Sequence, residues 1–386
     1  MKGILSIAAA AGICVMAAKI KPIKAEAWFS QTHTDITENA LEMLEKENKT
    51  KLVTFYRDYK DQILKGALEP DKDGDVDKGA GAHYYSCATA KGKPLPQKGG
   101  YYQNRLGDFS KSARTMLEEN YTCALNLYKN NKIAEAMYAL GRAAHFIEDI
   151  SCPVHTANIK YADKPGNVHN AFEKHANTIS KRYYPERFDK RLIKAYSGDS
   201  FETAANKLSA ASNKHAAPIS NLDPIAFDNA VKSMVPTAIQ NVMALLMKFY
   251  DDCKSDKGNY LLDGKAYTFK NEASGMLLTV TPKTLVLDKA DKQKEQKITV
   301  VMSDSGTFAL KAADGGYVSS TLKGYDYPKG DTLGAQFRAA ALGKNRYRIT
   351  TEGTSFAKVL SCTKSGGVAI SDFEPDNPLQ VWILNK

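Results

Sequence analysis

Two histidines and an aspartate lie close together in the stretch from Leu140 to Ile159, although the chain of 386 residues has only seven histidines. His145 and Asp149 are four residues apart, so on a helix both project from one face, one turn apart. His155 follows shortly after Pro153, where the helix is expected to end. A helix-stabilising pair with an unrelated loop histidine would explain this segment equally well, so a metal site needs ligands from elsewhere.

The same spacing occurs again in the next predicted helix. His169 and Glu173 are four residues apart and follow Gly166, which precedes the helix. One such pair is common, whereas two in one helical region indicate two imidazole–carboxylate half-sites that face each other. His175 falls on a different face of this helix and is interpreted as an ordinary surface residue.

A third candidate pair consists of an aspartate in an acidic loop and a histidine twelve residues later. Asp71 opens the segment "DKDGDVDKG", and His83 follows it. The segment lacks the glutamate that an EF-hand calcium loop has at its twelfth position, so a calcium loop of that kind is rejected. Asp71 and His83 are therefore predicted to be metal ligands.

The amino-terminal segment has the pattern of a secretory signal. Residues 1–27 contain the charged Lys2, an apolar run over 4–18 and a small-x-small cleavage site at 25–27. The apolar run is short for a bilayer span, and no later segment is expected to be apolar enough for one. The sequence thus predicts a soluble, secreted protein. An earlier cut after Ala18, or a short propeptide, is an alternative.

Removal of residues 1–27 would create a new amino terminus at Trp28. The α-amine of Trp28 would then lie five residues before His33. A free amine and an imidazole at this spacing could bind one metal ion together, so both residues join the candidate set.

The complete candidate set has five histidines, three carboxylates and one amino terminus. Imidazole and carboxylate ligands without thiolates suit catalytic zinc, because coordination positions stay open for water. Nine residues are too many for one ion and fit two or three ions that share a carboxylate. The set is Trp28, His33, Asp71, His83, His145, Asp149, His155, His169 and Glu173.

The elements that must position these ligands are mainly helices. From about Phe29 to Cys253 the apolar residues recur at helical spacing. Thr34 and Asp35 are expected to cap the first helix, and Pro236 is expected to interrupt the last one. The sequence therefore predicts an all-α domain over residues 28–254.

The pattern changes near residue 255 to short β-branched and aromatic runs separated by turns, which predicts an all-β domain over 255–386. Gln296, Gln336 and Gln380 each precede an alternating apolar strand and are 40 and 44 residues apart. This spacing indicates a weak three-fold repeat. The predicted fold class is thus α + β in two domains.

Composition agrees with a globular protein and leaves the partner open. The chain is 43% hydrophobic and 25% charged, and its net charge of +10 becomes +7 without the four lysines and one glutamate of the leader. Such an excess favours anionic surfaces, either phospholipid headgroups or nucleic acid, although many basic secreted proteins bind neither. The five cysteines after residue 27 form no CxxC pair, so a thiolate zinc site has no support, and at least one thiol stays unpaired.

The ligand pattern resembles that of the bacterial zinc-dependent phospholipases C, to which the S1/P1 nucleases are related. The family pattern is an N-terminal Trp, a nearby His, an Asp and a His twelve to fourteen residues apart, H-x3-D-x5-H, and H-x3-E. Every part of it occurs in order here, and the match covers roughly Trp28 to Tyr250. The resemblance implies the all-α phospholipase C fold with three Zn²⁺ ions.

The resemblance also implies how the ligands divide among the ions. The first ion would bind Asp71, His83, His145 and Asp149. The second would bind His155, His169 and Glu173. The third would bind the Trp28 amine and carbonyl together with His33, and Asp149 would bridge it to the first ion. Asp71 would also act as the catalytic base for water, without a covalent enzyme intermediate.

Two substrate classes remain open at this point. Glu173, and the fourteen-residue separation of His155 and His169, favour a phospholipase that cleaves phospholipids such as phosphatidylcholine. The five-residue spacing before His33 favours instead a nuclease that cleaves single-stranded nucleic acid. The aromatic side chains of Tyr84 and Tyr85 could bind choline, stack on a base or only fill the core.

The carboxyl-terminal repeat resembles a β-trefoil of the ricin-type lectin kind, whose repeats end in Gln-x-Trp. Only the third repeat has the tryptophan, Trp382. The resemblance implies a glycan as a further partner, while a role limited to packing the core is the alternative. A secreted binding protein with a purely structural zinc site is a third class of function.

Overall fold

The structure is a computed structural model. It describes residues 30–78, 81–85, 102–103, 109–160, 167–198, 200–255, 259–291, 293–319, 322, 325–326, 335–352, 358–374 and 377–386. Trp28 and the predicted leader, 1–27, lie outside these ranges.

Eleven helices in the described ranges form the amino-terminal part, with one two-stranded pair between the third and fourth. The helices are α1 (Ser30–Lys46), α2 (Thr50–Tyr56), α3 (Lys60–Leu68), α4 (Ala113–Lys129), α5 (Ile133–Ser151), α6 (Pro153–Thr156), α7 (Val168–Ile179), α8 (Arg191–Tyr196), α9 (Glu202–Asn213), α10 (Ala216–Ile219) and α11 (Pro224–Lys254). The paired strands are β1 (Tyr102–Gln103) and β2 (Phe109–Ser110).

Helix α5 is the central element, and the backbones of α3 and α5 touch where each helix has a glycine. A Cβ atom on Gly66 of α3 would lie 2.0 Å from the carbonyl oxygen of Tyr138, and one on Gly141 of α5 would lie 2.0 Å from that of Ile63. Only glycine permits this approach. The close crossing brings the end of α3, and therefore Asp71 just beyond it, beside α5.

Two predictions about helix ends were wrong. Thr34 and Asp35 do not cap α1 but lie inside it, since the helix already includes Ser30. Pro236 does not interrupt α11, which is continuous through it. A proline removes one backbone donor, but the surrounding turns of α11 are held by packing, and Thr237 Oγ1 donates to the Ser233 carbonyl at 2.8 Å.

The expectation that no segment after the leader is apolar enough to span a membrane was also wrong. Among the described helices, α11 is long and apolar enough to cross a membrane by length and composition, with a mean hydropathy of 1.2 over 18 residues. However, 67% of that window is buried inside the protein. The helix packs on α1, α5 and α8, so we interpret it as a core helix of the α part.

The carboxyl-terminal part is all-β, and the predicted fold class is therefore confirmed. Its strands are β3 (Ala266–Asn271), β4 (Leu277–Val280), β5 (Leu285–Asp288), β6 (Ile298–Met302), β7 (Phe308–Lys311), β8 (Tyr317–Val318), β9 (Tyr325–Asp326), β10 (Phe337–Gly343), β11 (Arg346–Thr351), β12 (Lys358–Cys362), β13 (Val368–Asp372) and β14 (Trp382–Asn385).

Six of these strands close into a ring. The pairs β3–β6, β6–β7, β7–β10, β10–β11, β11–β14 and β14–β3 are all antiparallel and return to their starting point. The remaining strands form the hairpins β4–β5, β8–β9 and β12–β13, one in each third of the sequence. A six-stranded barrel with three hairpins is compatible with the predicted β-trefoil.

Two of the three repeat glutamines have equivalent structural roles. Gln296 donates to the Lys289 carbonyl at 2.8 Å, and Gln380 donates to the Asp372 carbonyl at 2.7 Å, so each amide holds the chain that leaves its own hairpin. The side chain of Gln336 accepts from Thr307 Oγ1 at 3.0 Å. The repeat therefore has a packing role at Gln296 and Gln380, both of which are buried.

The α and β parts share a buried ionic contact. Asp77, in the loop after α3, lies 2.6 Å from Arg338 Nη1 of β10 and 2.5 Å from Arg142 Nη2 of α5. Asp75 accepts from the same Arg142. Nearby, Thr350 Oγ1 of β11 donates to Glu119 of α4 at 2.9 Å. Asp77 of the acidic loop thus joins the two parts, a role that the sequence pattern did not indicate.

None of the cysteines in the described ranges is in a disulfide. Cys123, Cys152, Cys253 and Cys362 are free thiols, and Cys87 lies outside those ranges.

Candidate metal centre

Eight of the nine predicted ligands lie in the described ranges, and all eight are buried. None is more than 7% exposed. They come from α1, the turn after α3, a loop residue before β1, and helices α5, α6 and α7. These are, in chain order, His33, Asp71, His83, His145, Asp149, His155, His169 and Glu173. The ninth, Trp28, is outside the described residues.

Asp149 lies at the centre of the group. Its Oδ2 atom is 2.9 Å from His83 Nδ1 and 3.3 Å from His145 Nε2. Its Oδ1 atom is 3.9 Å from His33 Nε2 and 3.8 Å from His155 Nδ1. One carboxylate therefore faces four imidazoles from four different segments.

Asp71 lies opposite Asp149 and faces three of the same rings. Its carboxylate oxygens are 3.6 Å from His33 Nε2, 3.7 Å from His83 Nδ1 and 3.8 Å from His145 Nε2. Burial raises the pKa of Asp71. The His33 and His145 rings stack with centroids 4.0 Å apart. Asp71, Asp149 and the three imidazoles thus form one compact cluster.

Glu173 organises a second cluster beside the first. Its Oε1 atom is 2.8 Å from His169 Nε2 and 3.2 Å from His155 Nε2. Cys152 is the third member of this group, since its Sγ atom lies within 4.8 Å of ligand atoms of His155 and Glu173. Burial, followed by the charge of Glu173, raises the pKa of the Cys152 thiol well above its usual range, so the thiol stays protonated.

Backbone carbonyls hold three of the rings from behind. The Nδ1 atom of His145 is 2.8 Å from the Ala67 carbonyl, that of His155 is 2.6 Å from the His83 carbonyl, and that of His169 is 2.6 Å from the Ile159 carbonyl. A carbonyl only accepts, so each Nδ1 carries a proton and each Nε2 faces the carboxylates. This is how proteins orient neutral imidazoles as metal ligands.

The charges of the cluster suit a bound cation. Burial and the neighbouring His145 lower the pKa of His33 to about 3, which keeps this ring neutral. Burial acts against protonation of His145 as well, but Asp149 and Asp71 raise its pKa to about 9. The two buried carboxylates therefore draw positive charge to the centre, which a metal ion would supply in place of that proton.

The residues fit zinc. Within the described ranges, Asp149 Oδ1 is a fully buried oxygen without a hydrogen-bond partner, and it points to the space between His33 and His155. An anionic oxygen in such a place requires a compensating charge. Ligand atoms lie within 4.8 Å of one another in three groups: His33, His145 and Asp149; Asp71, His83 and His145; and Cys152, His155 and Glu173.

The two predicted substrate-binding tyrosines have different surroundings. The Tyr84 ring stacks on His155, with centroids 4.9 Å apart and planes at 16°, and it lies beside His169. The Tyr85 hydroxyl instead donates to Asn206 at 2.6 Å, on α9. Both are buried. Tyr84 thus borders the metal centre, whereas the Tyr85 side chain contacts Asn206 of α9 and Arg114 of α4.

Sequence reasoning missed two residues of the centre, Glu148 and Cys152. Glu148 lies 2.5 Å from His33 Nδ1 and accepts from Thr37 Oγ1 at 2.6 Å. Burial raises the pKa of Glu148 to about 8. Both residues lie close to ligands in the stretch "HFIEDISCPVH". In the sequence, the position of Glu148 directly before Asp149 was the available sign of a role at the site.

The comparison with known proteins agrees with this site. Residues 32–222 match the family described as "Zinc dependent phospholipase C". A phospholipase C of Bacillus cereus is 29% identical over 75 residues, 19% of this chain and 26% of that protein. A phospholipase C of Paraclostridium bifermentans is 25% identical over 144 residues, 36% of this chain and 35% of that protein. An alpha toxin of Clostridium absonum aligns over 94% of this chain and 98% of its own with a TM-score of 0.47 and 16% identity.

Through residues 32–222, the chain belongs to the zinc-dependent phospholipase C family. The aligned segments span about a third or less of the two curated relatives.

Proposed function

We propose that the protein is a zinc-dependent phospholipase C. It would hydrolyse the glycerol-side phosphodiester bond of phospholipids such as phosphatidylcholine and release diacylglycerol and a phosphorylated headgroup. The observation that carries this proposal is the central position of Asp149, which faces His33, His83, His145 and His155. The net positive charge of the chain without the leader, +7, suits a phospholipid membrane.

The proposed ligand sets follow the observed clusters. Asp71, His83, His145 and Asp149 form the first set. His155, His169 and Glu173 form the second. His33, the Trp28 terminus and the shared Asp149 form the third. Zinc bound in these sets would supply Lewis-acid stabilisation of phosphoryl oxygens and a water of lowered pKa. The number of ions, three, is part of the proposal.

Asp71 is the proposed base for the attacking water. Its oxygens face the space shared with His33 and His145, at 3.6 and 3.8 Å from their Nε2 atoms. As the water attacks phosphorus, its proton would pass to an Asp71 oxygen, the bond from phosphorus to the glycerol oxygen would break, and that oxygen would take up a proton to leave as diacylglycerol. Tyr84, stacked on His155 at the edge of the site, would contact the headgroup, and Tyr85 is the weaker candidate for such a contact.

The deciding experiment is a parallel assay of purified mature protein on phosphatidylcholine, sphingomyelin and single-stranded DNA, each with and without a zinc chelator. We expect diacylglycerol from phosphatidylcholine, and no product after chelation until zinc is restored. Release of 5′-mononucleotides without diacylglycerol would overturn the proposal in favour of a nuclease. Bound zinc without hydrolysis of any of the three would show that the site is structural.

Secretion with cleavage after Ala27 is also proposed, and it has a measurable consequence at the metal centre. A mature protein that begins at Trp28 should bind one more zinc ion than a variant that retains Ala27, because an acylated nitrogen cannot act as an amine ligand. Sequencing of the exported protein and elemental analysis of both forms test this. Equal zinc content in the two forms would remove Trp28 from the ligand set.

Glycan binding by the β part remains a prediction. Its support is the six-stranded ring with three hairpins, which is compatible with a trefoil, while the buried positions of Gln296 and Gln380 support a packing role for those two residues.

A further inference from the structure

Glu148 is a buried carboxylate beside the metal centre that none of the proposed ligand sets includes. Its side chain is 0% exposed. It follows Ile147 and precedes Asp149 on α5, but it faces α1 instead of the centre of the cluster. There, Oε2 lies 2.5 Å from His33 Nδ1, and Oε1 accepts from Thr37 Oγ1 at 2.6 Å.

The two contacts of Glu148 come from adjacent turns of one helix. His33 and Thr37 are four residues apart on α1, so both side chains project from the face that packs on α5. The Oε2 atom of Glu148 contacts His33, and its Oε1 atom accepts from Thr37. The carboxylate therefore holds the His33 ring in one orientation, with Nδ1 towards α5 and Nε2 towards Asp71 and Asp149.

His33 differs in this respect from three other rings of the centre. His145, His155 and His169 are held at Nδ1 by neutral backbone carbonyls, whereas His33 is held by a carboxylate outside the ligand sets. A carboxyl partner of this kind fixes the orientation of a ligating imidazole and raises its basicity. The ion assigned to His33 would be bound with the least negative charge of its own, because the only carboxylate in its set, Asp149, is shared with another ion. Support of the His33 ring therefore matters most for this ion.

We propose that Glu148 is a positioning residue that fixes His33 for metal binding and strengthens the hold on the ion assigned to His33. The inference rests on the proposed zinc-dependent function, since it presumes that His33 binds zinc. Thr37 holds Glu148 in place by donating to its Oε1 atom, and its contribution to the position of His33 is therefore indirect.

The test is the zinc content of Glu148→Gln after dialysis against graded chelator concentrations. Gln keeps the shape of the side chain but replaces the carboxyl group that contacts His33 Nδ1 and Thr37 Oγ1 with an amide. We expect one ion per chain to be lost at chelator concentrations about 10–100-fold lower than in the wild type, while the remaining zinc is retained as in the wild type. Glu135→Gln, the same change at an exposed position on α5, is the matched control and should not alter the zinc content.

A second readout needs no bound metal. In zinc-free protein labelled with ¹⁵N at histidine, the two ring nitrogens of His33 report the tautomer and its exchange. We expect distinct, unaveraged signals in the wild type and averaged ones in Glu148→Gln. A residue that only supported the packing of α5 would leave these signals unchanged.

Wild-type zinc retention together with wild-type His33 signals in Glu148→Gln would overturn the inference, provided that His33→Ala loses one ion. A wild-type protein that contains no zinc before chelator is added would overturn both the proposed function and this inference. Zinc in the wild type, with no effect of Glu148→Gln, would overturn this inference alone. If Glu148→Gln does not fold, Glu148→Asp and Thr37→Val replace it. Both should release the same ion more easily than the wild type, and no change in either would contradict the role of Glu148.

Discussion

Replacing Asp149 with asparagine is expected to abolish hydrolysis, with a decrease in kcat/KM of at least about 10³-fold. Asp149 faces four imidazoles with two oxygens, and asparagine would leave one neutral oxygen and one amide nitrogen that cannot bridge cations. Loss of several kcal/mol of charge stabilisation corresponds to this decrease. Activity on phosphatidylcholine and zinc content measure the effect, and we expect both to fall together.

The matched control is Asp61→Asn, the same change at an exposed position on α3, which should leave activity and zinc content at wild-type values. A fully active Asp149→Asn variant with its zinc retained would contradict the metal assignment, because the central carboxylate would then have no role in binding.

Asp77→Asn is expected to destabilise the protein by about 3–5 kcal/mol, the range for breaking a buried ion pair by removing one partner. Arg338 would remain buried without its 2.6 Å partner, while Arg142 would keep Asp75. Burial disfavours the charged form of Asp77, but Arg338 and Arg142 nevertheless hold its pKa far below the usual range. The free energy of unfolding from urea titrations at pH 7 measures the loss.

The lowered pKa of Asp77 also predicts the pH dependence. A carboxylate whose pKa is lower in the folded state stabilises fully above its unfolded value of about 4, and this contribution is lost as the pH falls below that value. The difference between the wild type and Asp77→Asn should therefore shrink on acidification below about pH 4. Asp304→Asn, which removes an exposed pair with Lys132 across the same interface, is the control and should change stability by less than about 0.5 kcal/mol. Equal destabilisation in both variants would contradict the buried contact.

The parts of this protein that sequence reasoning predicted well are those encoded by local spacing. The pairs His145–Asp149 and His169–Glu173 each lie on one helix, so their four-residue separation already implied a shared face. The change from helical to alternating periodicity near residue 255 is likewise local, and it separates the helices that end at Lys254 from the strands that begin at Ala266.

What sequence reasoning missed depends on partners that are distant in the chain. Glu148 contacts His33 across 115 positions, and Asp77 contacts Arg338 across 261. No periodicity relates such residues, because the packing of α5 on α1 and of α4 on β10 decides which side chains meet. The continuous α11 has a similar cause, since tertiary packing there outweighs the single backbone donor that Pro236 lacks.

Asp77 lies six residues after Asp71 and forms ion pairs with Arg142 of the α part and Arg338 of the β part. Exchange of the carboxyl-terminal part for another domain would therefore leave Asp77 without one of its two cations. A related protein with a different domain at this end would need another cation at the position of Arg338, or a neutral residue in place of Asp77.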